Sequence, residues 1–163
     1  VVTARAVAET VCDPELPMLT LADLGVLREV SEQDGAVKVS ITPTYTGCPA
    51  MDTMRDDLVH ALQGAGYPRV EVSTVLQPPW SSDWISERGR RKLAEAGIAP
   101  PGGAPARGPG PVPLSLNPPE RQVTCPRCGA ADTQLLSEFG ATACKSMRRC
   151  RACAEPFEHV KEI

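Results

Sequence analysis

Twelve of the twenty residues from Pro100 to Pro119 are proline or glycine. Such a run offers few backbone N–H groups to a helix or sheet and little to bury, so it predicts an extended linker. It divides the chain into an α+β domain at 1–98, a Pro/Gly-rich linker at 99–119 and a short unit at 120–163, with few core contacts expected between them.

The short unit must explain how it folds at all. It has two aromatic residues, Phe139 and Phe157, too few for packing alone to hold a unit of this size. It also has Cys125-Pro126-Arg127-Cys128 and Cys150-Arg151-Ala152-Cys153, two C-x2-C pairs with 21 residues between them. Two cysteines three apart on a tight turn can hold one ion, and two such turns complete a tetrahedron. The spacing predicts a zinc-ribbon β module with Cys125, Cys128, Cys150 and Cys153 as ligands of a structural Zn2+. Cys144, between the pairs, is either a small buried hydrophobe, a reactive thiol or an alternative ligand.

In the first unit, Ala4, Val7 and Val11 recur at helical spacing after Thr3, and Pro14 stops the pattern. A hairpin follows, with strands at 26–31 and 37–42 about the turn Gln33-Asp34-Gly35. Met51, Met54, Leu58 and Leu62 mark an amphipathic helix, Val70 to Leu76 a third strand, and Ser86 to Ala96 a last helix. A helix between two strands implies a right-handed parallel crossover. The fold class is therefore α+β: a small three-stranded mixed sheet with packed helices, plus the ribbon.

Charge narrows the function classes. Residues 1–98 carry 9 Lys+Arg against 14 Asp+Glu, and 120–163 carry 7 against 6. Neither has the basic excess that phosphate binding needs, so nucleic acid is not expected as a partner. No apolar run of membrane length and no signal segment is visible, which makes no membrane and a cytoplasmic location the expectation. The odd count of seven cysteines fits thiolate chemistry in a reducing compartment better than disulfides.

Thr46-Gly47-Cys48-Pro49 precedes the amphipathic helix. Proline favours the first helical position, which places Cys48 at the N-cap, where free N–H groups and the helix dipole stabilise a thiolate. From this pattern a packed inert cysteine and a metal ligand or nucleophile are equally open. Asp13 and Glu15 could join Cys48 through tertiary folding, or simply cap the turn that contains them. Trp80 and Trp84 either anchor the last helix or form a partner contact. His60 and His159 sit in no ligand pattern and read as surface or boundary residues.

Asp13-Pro14-Glu15, Asp23-Leu24-Gly25, Thr42-Pro43 and Thr46-Gly47-Cys48-Pro49, in that order, resemble the metal-sulfur cluster biosynthesis family. Pro78-Pro79-Trp80-Ser81-Ser82-Asp83-Trp84-Ile85 and the stretch from Phe139 to Lys145 are similar to its phenylacetate-degradation, PaaD-type branch. The ending Phe157 to Ile163 departs from that branch, where an aromatic-rich end with a further cysteine is expected.

The resemblance implies an accessory, maturation protein, not catalytic alone, of the multicomponent phenylacetyl-CoA epoxidase. It implies help with iron-sulfur cluster or iron insertion into an oxygenase or reductase subunit. Cys48 carries over as the thiol that holds or hands over a transient iron or iron-sulfur cluster, with Asp13, Glu15 and Thr46 beside it. Two chains could each give one Cys48 to a shared cluster, as a homodimer. The alternatives are a thiol-dependent enzyme using Cys48 and a zinc-ribbon nucleic-acid-binding module.

Overall fold

The structure, a computed structural model, describes residues 2–104, 109–111, 116 and 121–163. The rest of the linker expected at 99–119 lies outside the described residues.

Helix α1 (Ala4–Ala8) starts on Thr3, whose hydroxyl accepts from Ala6 N–H at 3.2 Å. It is shorter than the sequence pattern suggests because Thr10 turns its hydroxyl onto the Val7 carbonyl at 2.7 Å, closing the helix before Val11. Strands β1 (Leu27–Gln33) and β2 (Ala36–Ile41) form the expected hairpin. Asp34 and Gly35 both have positive φ, +51° and +71°, the backbone that a two-residue turn matching strand twist requires.

Val37, Val39 and Ile41 of β2 point into the core and Lys38 away from it, so the alternation fixes the register. Helix α2 (Met51–Gly64) buries Met54, Leu58 and Leu62. At about 1.5–3 kcal/mol for each such apolar side chain, that stripe outweighs the weak propensities of the exposed face. The helix leads to β3 (Arg69–Thr74), which pairs parallel with β2, giving the mixed order β1-β2-β3. A 3-10 turn (Ser82–Trp84) and helix α3 (Glu87–Glu95) complete this half, α3 being capped by the Ser86 hydroxyl on Gly89 N–H.

Asp23 and Gly25 serve this packing. The Asp23 carboxylate is 1% exposed and takes Arg88 at 2.7 Å and Lys92 at 2.8 Å, tying the loop before β1 to α3. Burial disfavours its charge, but the Lys92 and Arg88 hydrogen bonds prevail and hold its pKa at about 2. Gly25 has φ +70° and lies where a Cβ would stand 2.6 Å from Trp84 Cβ, so only glycine fits.

The C-terminal half is a sheet of β4 (Ile98–Ala99), β5 (Thr133–Ser137), β6 (Lys145–Cys150) and β7 (Pro156–Val160), in the order β4-β7-β6-β5. Strand β4 leaves α3 through Gly97 and pairs parallel with β7, Ile98 opposite Glu158 and Ala99 opposite His159. Val160 is buried in the first half's core and Ile163 packs on it. The two halves thus share core and sheet, whereas composition suggested little contact. The reason is that β4 directly follows α3 and docks before the proline-rich stretch is fully under way: Gly102 N–H bonds Glu162 at 2.8 Å and Ala104 N–H bonds Asp83 at 3.0 Å.

His159 is a further correction. It is buried, not peripheral, with Nδ1 3.3 Å from Ser146 Oγ and Nε2 3.1 Å from Glu162 Oε1. Burial opposes the charge of Glu162, but the His159 contact and the Gly102 N–H lower its pKa to about 2. No helix among the described residues is long and apolar enough to cross a membrane.

Candidate metal centres

The four cysteines of the C-x2-C pairs meet, their sulfurs all within 4.8 Å of one another. Cys125 and Cys153 sulfurs are 3.9 Å apart and those of Cys128 and Cys150 3.5 Å. A zinc–sulfur bond of about 2.3 Å puts the sulfurs of a tetrahedron about 3.8 Å apart, so this donor set fits such an ion closely.

Each pair sits on a matching turn. Gly129 N–H returns to the Cys125 carbonyl, and Cys125 N–H bonds the Ala130 carbonyl, both at 2.9 Å. Cys150 N–H bonds the Glu155 carbonyl at 3.0 Å, and Gly129 and Ala154, each following a pair, have φ +75° and +62°. The Cys153 N–H, 3.5 Å from the Cys150 sulfur, favours the Cys150 thiolate. These residues would hold the ion, which supplies fold stability and a closed coordination shell with no open position for chemistry.

The second site is a cavity of about 30 Å³ where the two halves meet. Asp13 and Glu15 come from the turn after α1, Thr44, Tyr45 and Cys48 from the loop before α2, and Cys144 and Lys161 from the C-terminal half. Leu16, Leu24, Met54 and Trp80 form its apolar floor. Asp13 is also the turn residue that its position suggested: its Oδ1 accepts from Glu15 N–H and Leu16 N–H, each at 2.8 Å.

The cavity brings together Cys48, Asp13, Glu15 and Cys144. Thr46 is exposed and outside its lining. Trp80 is buried, donating Nε1–H to the Leu24 carbonyl at 2.8 Å, while Trp84 lies partly exposed under the Arg28 guanidinium, 3.9 Å from its ring centroid. Tyr45 and Lys161 belong to no motif in the sequence; the one available signal was that Tyr45 is three residues before Cys48.

Cys48 differs from expectation in two ways. Helix α2 begins at Met51 with Ala50 as its cap, so Cys48 stands two residues before the N-cap. The Ala50 N–H still favours its thiolate, but burial dominates and pushes the thiol pKa up, and Glu15, Asp13 and Cys144 add to that. Burial and then Asp13 raise Glu15, and burial, Cys48 and Cys144 raise Tyr45. At Cys48, Glu15 and Tyr45 the cavity thus resists added negative charge, while Lys145 acts the other way on Glu15 and Lys161 also lines the wall.

Known proteins place both halves. Residues 3–75 match the iron-sulfur cluster assembly protein family and residues 109–161 the PaaD zinc beta ribbon domain. The chain is 40% identical over 158 residues to an Escherichia coli protein named as a "Putative 1,2-phenylacetyl-CoA epoxidase" subunit, covering 97% of this chain and 90% of that protein. It is 34% identical over 86 residues to an Fe-S protein maturation auxiliary factor of Porphyromonas gingivalis, covering 52% of this chain and 81% of that protein. The crystal structure of a domain of unknown function from Bacillus anthracis aligns with a TM-score of 0.51 at 29% identity, over 55% of this chain and 87% of that one.

Proposed function

The chain belongs to the family of that Escherichia coli epoxidase protein, joining an iron-sulfur cluster assembly domain to a PaaD zinc ribbon, and from this membership we propose a maturation factor for phenylacetyl-CoA epoxidase. It delivers iron or an iron-sulfur unit to an oxygenase or reductase subunit through Cys48. The ribbon carries structural zinc.

The observation that carries this reading is the raised Cys48 thiol in a cavity with Asp13 and Glu15. A nucleophile needs its thiolate before the substrate arrives, and this cavity disfavours it. A metal ion supplies its own compensating charge and displaces the proton on binding. The cavity, at about 30 Å³, also suits an ion better than an acyl-CoA, since pockets for molecules of that size run to several hundred Å³.

The test is to express the epoxidase subunits with the wild-type chain or with Cys48→Ser, and to measure iron and acid-labile sulfide in each purified subunit. One subunit should lose iron with the variant. Full iron in every subunit would refute the proposal.

A further inference from the structure

Three of the six large apolar side chains exposed among the described residues, Leu135, Leu136 and Phe139, fall in one short stretch, at 39%, 53% and 65% exposure. They sit on β5 and the turn after it. Strand β5 ends the order β4-β7-β6-β5, so no strand lies beside its outer edge among the described residues. Edge strands are ordinarily blunted by charge or proline, and Thr133–Ser137 has neither.

Position ties this patch to the Cys48 cavity. The Lys161 ammonium stands 4.3 Å from the centre of the Phe139 ring, and Lys161 lines the cavity. Its N–H also bonds the carbonyl of Cys144, another lining residue, at 2.9 Å. The turn that carries Phe139 is braced: the Ser137 hydroxyl donates to the Phe139 carbonyl at 2.8 Å and accepts from its N–H at 3.2 Å. Phe139 is thus held out to solvent by a formed turn.

Charge says what the patch fits. Arg148 and Arg149 of β6 stand opposite Leu135 and Gln134. Arg148 bonds the Thr133 hydroxyl at 3.4 Å and Arg149 the Ala154 carbonyl at 3.2 Å, and neither has a carboxylate partner among the described residues. With Lys161, three cations border the patch, against one acid, Glu138, within residues 133–139. A second copy fits poorly, since two such patches face to face set like charges together. The bulge between Leu135 and Ser137 also breaks the straight edge that two β5 strands would share.

We propose that Leu135, Leu136 and Phe139, with Arg148 and Arg149, form the docking surface for the subunit that receives metal from Cys48, through a short extended segment of apolar residues flanked by carboxylates. This rests on the Cys48 reading above and adds where the recipient binds and what its segment is made of. The leucines and Phe139 take its apolar side chains and the two guanidiniums its carboxylates. An occupant seated there lies against Lys161 and so beside the cavity wall.

The test measures binding of the zinc-loaded full chain to each purified epoxidase subunit by calorimetry, at low and at raised salt. One subunit should bind, and more weakly as salt rises. Leu136→Glu, Phe139→Ser and Arg149→Glu should each weaken that binding about tenfold or more. Zinc content and the alkylation rate of Cys48 should not change, because all three side chains are exposed. Hydrogen exchange reads the same surface without a variant: amides of Thr133–Ser137 should gain protection in the complex.

Wild-type binding by all three variants, with iron still lost from a subunit in Cys48→Ser, overturns this inference and leaves the Cys48 reading standing. Weakened binding, with full iron in every subunit despite Cys48→Ser, upholds the surface and overturns delivery. If no subunit binds, or if the wild-type chain sediments as a dimer that Leu136→Glu dissociates, the patch has another occupant and the inference is overturned.

Discussion

Ser82 and Ile163 are joined by three hydrogen bonds across 81 residues of sequence: Ser82 N–H and Oγ–H to the Ile163 carbonyl at 3.0 and 3.3 Å, and Ile163 N–H to Ser82 Oγ at 3.1 Å. With β4 on β7, this clasp seats the ribbon on the first half and so brings Cys144 to the Cys48 cavity.

Ser82→Ala should therefore weaken the junction by about 1–2 kcal/mol, since it removes a fully buried hydroxyl that both donates and accepts. Denaturant unfolding gives the loss. Alkylation of Cys48 and Cys144 should quicken in the same variant, and unchanged rates at both would show that the clasp does not close the cavity.

Asp23 gives a pH signature. Its pKa lies at about 2, below the ordinary 3.8, so its contribution is present above pH 4 and is lost as pH falls toward about 2. The contribution is about 2 kcal/mol, from the shift at roughly 1.4 kcal/mol per pH unit. Glu162, held at about 2 against an ordinary 4.5, acts in the same direction. Asp23→Asn should flatten the acid limb of a stability curve between pH 4 and 2; an unchanged slope contradicts the assignment.

Gly25→Ala should destabilise the fold by more than about 1 kcal/mol, because it combines a left-handed backbone with a collision against Trp84. Gly47→Ala has the positive φ without the collision and should cost less, as thermal unfolding of the two variants will show.

Removing zinc should unfold β5 to β7 while leaving β1 to β3 in place, since structural zinc supplies on the order of 10 kcal/mol to such modules. Hydrogen exchange after chelation should show amides of Lys145–Cys150 losing protection and those of Ala36–Ile41 keeping it. Retained protection in both strands would mean that packing alone holds the ribbon.

The regular parts of this architecture are legible in local pattern. The alternation of Val37, Val39 and Ile41, the Asp34-Gly35 turn and the Met54, Leu58 and Leu62 stripe each have a period that only one element satisfies. The C-x2-C spacing is local chemistry of the same kind. Cys144 beside Cys48 is not local: it depends on Ile98 and Ala99 pairing with β7 and on Ile163 reaching Ser82, contacts with no periodic signature. The burial of His159 escapes local pattern for the same reason, since it comes from Ser146 and Glu162 around the ring rather than from its neighbours' hydropathy. The place of Cys48 before a helix is legible, but its proton affinity follows from burial and from carboxylates on another loop.

The most direct measurement follows isotopically labelled iron(II), loaded anaerobically on this chain, desalted and mixed with iron-depleted epoxidase subunits. The label should appear in one subunit, from the wild-type chain and not from Cys48→Ser. Equal uptake from the variant, or from free iron at the same concentration, would contradict delivery through Cys48.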